Sequence, residues 1–210
     1  MPEMNRLPRY TGGIHPNCDY HHGQIFPARG VKCYQIARAN RTHPEWDDGT
    51  ACTYKHAADP VWFAGRFYVQ YLVNPKDEHT GAGQSILASS PDGVHWEDFA
   101  VSFPPYRIPA CTIRSRDGEE RVFDGESFAV MHQRMSFYYT SKGKMLVLGF
   151  YGFCPQPWQT PWDRRGIGRV VRELYPDGSM GEIYFILPCY QAGWTDALLR
   201  YPLYTECPDP

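Results

Sequence analysis

Short apolar runs, broken every few residues by Gly, Pro, Asp or Ser, set the rhythm of this chain. Val61-Trp62-Phe63, the dipeptide Ala64-Gly65 and Arg66 to Val73 read as a β-hairpin, two strand-forming runs around a two-residue turn. Gln84 to Ser89 reads as a third strand. Ser90-Pro91-Asp92-Gly93 then turns the chain, and His95-Trp96 opens a fourth. Residues 54 to 99 thus predict four strands in about 45 residues, the size of one propeller blade.

The pattern recurs downstream. Met135 to Tyr139 and Lys144 to Gly152 flank a turn at Ser141-Lys142-Gly143, and Gly168 to Leu174 and Gly181 to Leu187 flank one at Tyr175-Pro176-Asp177-Gly178. Asp-Gly turns fall at 92–93, 117–118 and 177–178. Thr195 to Arg200 is the one passable helix. Regular short strands with such turns predict an all-β fold, a β-propeller. At about 45 residues per blade the chain supplies about four to five blades. Residues 1–210 then form a single propeller domain, or part of a larger six- or seven-bladed one. The ending, Thr205-Glu206-Cys207-Pro208-Asp209-Pro210, does not read as a closing strand, which favours the partial propeller.

Composition narrows the function. The 210 residues include 19 Gly and 19 Pro, which favours turns over long helices. Fifteen Tyr, eleven Phe and six Trp suit aromatic-rich strands, a sugar-binding surface, or both. With 21 basic against 23 acidic residues there is no basic excess, so no nucleic-acid partner is expected. The longest apolar run, Met145 to Phe153, is nine residues and holds two Gly, whereas a spanning helix needs about 20. No membrane partner is expected. The N-terminus has no apolar run of a secretory signal, and the seven cysteines are odd in number with no CxxC, so reduced thiols and a cytoplasmic location are expected. No phosphate loop, nucleotide fingerprint or serine nucleophile elbow appears. His15, Cys18, His21 and His22, with Cys33 beyond, are ligand types that suit zinc, but their spacing is not a standard one. No cofactor is therefore expected.

Several motifs occur in a telling order. Tyr54-Lys55-His56 is followed by Trp62-Phe63-Ala64-Gly65-Arg66-Phe67-Tyr68, then Glu78-His79, Gly83-Gln84 and Ser90-Pro91-Asp92-Gly93-Val94-His95-Trp96. In the last, Asp92 can accept backbone N–H bonds, Gly93 supplies a positive φ, and Trp96 packs between strands. The set resembles the Asp-box (BNR, sialidase-like) β-propeller carbohydrate-active enzymes, including rhamnosyl-glucuronate lyase-like propellers. The likeness covers about residues 30 to 100, and Gly166 to Ile186 adds support. Tyr106-Arg107-Ile108-Pro109 looks like the carboxylate-gripping motif of sialidases, although it follows the Asp-box-like turn here rather than preceding it.

The resemblance implies a glycan substrate and a set of candidate residues. His56 matches the acid/base histidine of the lyase-like propellers, and a neutral imidazole can move a proton near neutral pH. His79 is its candidate partner, with Glu78 beside it to orient it. An acidic sugar needs a cationic clamp, and Arg38, Arg41 and Arg169 are the candidates, since a guanidinium fork binds a carboxylate bidentately. Gln84 and Tyr54 join them as substrate-binding candidates, with Tyr34, Trp62 and Trp158 able to stack on a sugar face. A two-carboxylate hydrolase would draw on Asp59, Glu78, Glu126 or Glu173. The expected function is a sialidase-like glycoside hydrolase acting on a terminal acidic sugar. A polysaccharide lyase using histidine, a non-catalytic glycan-binding propeller and an inactive fragment stand as alternatives.

Overall fold

The computed structural model describes residues 30–39, 42–43, 47–96, 98–114, 118, 120–133, 135–154, 166–189, 195 and 198–210. The chain divides into two units, Met1–Gln35 and Ile36–Pro210. Residues 30–35 of the first carry no strand or helix. All the described strands lie in the second.

The first sheet is an antiparallel meander, β1 (Tyr54–Phe63), β2 (Arg66–Asn74), β3 (Gln84–Ser90) and β4 (Asp98–Phe103), in that spatial order. Ala64 and Gly65 both take positive φ, 48° and 83°, which makes the tight turn whose twist matches the paired strands. The central strands are buried on both faces. Tyr68, Leu72 and Leu87 join a cluster with Phe103, Met131, Val147 and Val170, while Val69, Tyr71, Val73 and Ile86 join another covered by Ile36, Ala37, Trp96 and Phe99. A strand so sandwiched reads as a continuous apolar run, as Tyr68 to Val73 nearly does.

The second sheet runs β11 (Tyr184–Pro188), β10 (Gly166–Leu174), β9 (Met145–Gly152), β7 (Val130–Met131), with β8 (Ser136–Tyr139) also paired to β9. Between the sheets in sequence, β5 (Cys111–Arg114) and β6 (Glu120–Phe123) form a two-stranded hairpin. The architecture is an all-β propeller. Among the described residues it contains two blade-sized sheets and this hairpin, which fits a partial propeller. Strands β5 and β6 escaped the sequence reading, although the Asp-Gly turn between them did not.

The fourth strand begins at Asp98, not at His95-Trp96. Asp92 is the reason. Its Oδ1 accepts the amides of Val94 and His95 at 2.8 and 2.9 Å, and the Trp96 indole donates to the Gly93 carbonyl at 3.2 Å. Those bonds keep both residues in the turn, where Gly93 has φ 76°. The backbone amide of His95, then its side chain, hold the Asp92 carboxyl well below the usual carboxylate range. Of the helix expected at Thr195 to Arg200, Leu198 is in 3₁₀ conformation, its amide bonded to the Thr195 carbonyl at 3.0 Å, and a further 3₁₀ turn sits at Tyr204–Glu206.

Asp48 ties the segment before β1 to the sheet. Lys55 Nζ and the Tyr71 hydroxyl each donate to its Oδ2 at 2.6 Å, and the Thr50 hydroxyl donates to Oδ1 at 2.6 Å. Burial alone would raise its pKa, but these bonds and the Lys55 charge outweigh it and lower the value from 3.8 to about 2. A folded value below the unfolded one stabilises above the unfolded pKa and is lost as pH falls toward the folded one. Asp48→Asn is therefore expected to cost about 2 kcal/mol at pH 7. Urea titrations at pH 7 and again near pH 2 check this, with the gap between variant and parent shrinking at the lower pH.

Candidate functional site

The site forms at one end of the first sheet. Tyr54 on β1 pairs with Asn74 at the end of β2, and Gln84 at the start of β3 pairs with Val73. The loop between β2 and β3 carries Glu78 and His79. It is held against the β7 segment: the Gly83 amide donates to the Ala129 carbonyl at 3.0 Å, and a side chain at Gly83 would strike Asn74 and Met131. The Asn74 amide donates to the Glu78 carbonyl at 3.0 Å and to the Met131 carbonyl at 3.3 Å. One buried side chain thus fixes both segments that carry the site.

His56 is aimed by the backbone. The β1–β2 register slips between His56 and Asp59, and Ala57 takes φ 54°. Left-handed backbone at a residue with a Cβ costs about 1–2 kcal/mol, and bulges of this kind re-aim side chains beside functional sites. The Tyr54 hydroxyl lies 2.9 Å from His56 Nδ1, with the rings edge to face at 5.7 Å. Burial, and then the neighbouring Glu78 carboxylate, raise the Tyr54 hydroxyl above its ordinary pKa. Glu78 Oε1 is 3.9 Å from His56 Nδ1, 3.2 Å from His132 Nε2, and accepts from Gln133 Nε2 at 3.3 Å. The His56 side chain is 45% exposed and His132 only 1%, so the cluster runs from solvent into the interior. His56 also lines a cavity of about 230 Å³ with Ile36, Ala37, Val69 and Tyr71.

His79 stands on the same loop, its amide donating to Asp77 Oδ1 at 3.0 Å. Its ring stacks on His132, centroids 6.2 Å apart and planes at 20°. Ligand atoms of Glu78, His79 and His132 all lie within 4.8 Å of one another. Tyr54, His56, Glu78 and His79, expected from separate motifs, are therefore neighbours. His132 and Gln133 join them without any sequence signal, since they sit in an ordinary strand end.

The other candidates lie elsewhere or at the margin. Arg169 is on β10, opposite Phe150, whose carbonyl accepts the His132 amide at 3.1 Å. Arg38 is half-buried ahead of β1, and Gln84 is half-buried at the start of β3. Arg41 and Trp158 lie outside the described residues, as do His15, Cys18, His21 and His22. Tyr34 is exposed, and exposed Trp62 meets Phe67 edge to face at 4.5 Å. Arg107 pairs with Glu126 at 2.9 Å and lies over the Phe128 ring. Asp59 accepts the Phe137 amide at 3.1 Å, and Glu173 lies 3.8 Å from Lys144. Of the four carboxylates considered, Glu78 is the one beside the imidazoles.

A solved structure named Sialidase is similar to this chain at 39% identity with a TM-score of 0.73, over 84% of this chain. The chain spans 16% of that protein's length. No curated protein matches it. A family model described as "Beta-prop_BT_1020:-like, N-terminal beta propeller" matches residues 6–210. A blade-forming all-β chain matched over nearly its whole length belongs to that BT_1020-like N-terminal beta-propeller family.

Proposed function

We propose that this propeller is a sialidase-like glycoside hydrolase acting on a terminal acidic sugar of a glycan. The observation that carries the reading is the contact of the Tyr54 hydroxyl with His56 Nδ1, with Glu78 beside both. A nucleophile within hydrogen-bond reach of a base is the pairing that covalent catalysis requires. The step balances on these residues. Tyr54 oxygen bonds to the anomeric carbon as the glycosidic C–O bond breaks. The phenol proton passes to Nδ1, and the Nε2 proton goes to the leaving oxygen. Water then cleaves the tyrosyl–sugar bond. A neutral phenol suits an anionic sugar, whose charge would repel a carboxylate nucleophile. Arg38, Arg41 and Arg169 are the guanidinium groups proposed for the sugar carboxylate.

A lyase is the second reading, favoured by the single carboxylate at the cluster. There the imidazole would remove the C5 proton of a uronate, the C4–O glycosidic bond would break as the C4=C5 bond forms, and the leaving oxygen would take up the proton. Incubation with sialylated and with rhamnosyl-glucuronate glycans separates the two. Release of a saturated acidic sugar is expected; a product absorbing in the near ultraviolet would replace the hydrolase reading with the lyase. No cleavage of either class would leave a glycan-binding propeller.

A further inference from the structure

We propose that Glu78, His79 and His132 form a binding site for one divalent transition-metal ion of the zinc type. Two imidazoles and a carboxylate are a donor set that such ions take, with a fourth position left for water or substrate. Zinc–nitrogen and zinc–oxygen bonds of about 2.0–2.2 Å put neighbouring tetrahedral ligand atoms about 3.3 Å apart. His132 Nε2 and Glu78 Oε1 are already 3.2 Å apart, and one ligand atom from each of the three residues lies within 4.8 Å of the others. His79 and Glu78 stand on a loop, so modest side-chain rotation brings them in.

The supporting contacts are those a metal site uses. His132 is buried at the end of β7, its amide bonded to the Phe150 carbonyl. Asn74 holds the Glu78 and Met131 carbonyls together, fixing the spacing between the two ligand-bearing segments. Asp77 pins the His79 amide and the Thr80 hydroxyl at 3.0 and 2.7 Å. Residues in such supporting positions tune metal affinity by about 10–100-fold. Glu78 is the more solvent-accessible of the pair it forms with His132, 32% against 1%, and its Oε1 lies 3.9 Å from His56 Nδ1, so the cluster is reached by solvent from the Glu78 side. There the ion would meet the carboxylate of an acidic sugar; that last step rests on the proposed function, whereas metal binding does not.

The test is a cobalt(II) titration of the full chain after dialysis against chelator, without glycan. One equivalent is expected to give a visible absorption band that zinc displaces. His79→Ala, on a loop, and Glu78→Gln are each expected to weaken binding by at least about 100-fold, the upper end for supporting residues. Circular dichroism confirms that these variants keep the fold. No band, or a band retained in the His79→Ala/His132→Ala double variant, overturns the site and, in the second case, assigns the ion elsewhere. Metal binding with no turnover of acidic glycans would keep the site and sink the hydrolase. Turnover by a chain that takes up no cobalt would sink the site and keep the hydrolase.

Discussion

His56→Ala is expected to lower kcat/KM on an acidic-sugar glycan by about 10²–10⁴-fold, the range of positioned acid–base catalysis. The imidazole is half exposed and sits on an edge strand, so its loss opens no core cavity and the fold should survive. What disappears is the acceptor 2.9 Å from the Tyr54 hydroxyl. Tyr54→Phe removes the other half of the pair while keeping the ring that meets His56 edge to face. It should fall by a comparable factor, mainly in kcat, because a group used in the transition state leaves ground-state binding intact. The two losses should not add, since the residues act as one unit. Turnover within about threefold of the parent in both variants would remove the proton-transfer role given to the pair.

Arg172→Met is the substitution expected to damage the fold most, by about 3 kcal/mol or more. Arg172 lies on β10 and donates from Nη1 to the Ser102 carbonyl of β4 at 2.9 Å. Its Nε reaches the Gly181 carbonyl at 2.8 Å and Nη2 the Met180 carbonyl at 3.2 Å. One guanidinium therefore joins the last strand of the first sheet to the second sheet and to the turn after β10. Burial lowers its pKa, an effect opposed by nearby tyrosines, and the group stays cationic because an arginine starts so high. Methionine fills similar space but leaves those carbonyls without a donor, and each orphaned buried acceptor costs about 1–3 kcal/mol. Equilibrium urea unfolding measures the loss. A penalty under about 1 kcal/mol would mean that water replaces the guanidinium there.

Much of the first sheet was legible because its physics is local. Val61 to Val73 is two apolar strand-forming runs around a two-residue turn, and the positive φ values at Ala64 and Gly65 are what such a turn demands. The same holds for Asp92-Gly93, whose side-chain bonds stay within a few residues. Where sequence reading slipped, a local bond overrode a propensity. His95 and Trp96 look like strand residues, yet Asp92 keeps them in the turn. The site was half legible. Tyr54, His56, Glu78 and His79 belong to recognisable motifs, but His132 and Gln133 had nothing to mark them.

By itself the amino-acid sequence determined an all-β chain of short strands and the turns between them. These follow from periodicity, side-chain shape and backbone freedom within a few residues. The tertiary structure alone decided which imidazoles share a carboxylate, because His132 reaches Glu78 only after the second sheet docks and Asn74 bridges the two segments. It also decided that the half-buried Arg172 would be enclosed by carbonyls, since a long cationic side chain stays in water until packing encloses it. Hydrogen bonds between residues far apart in the chain carry no periodic signal, so no reading of neighbours along the backbone could have found them.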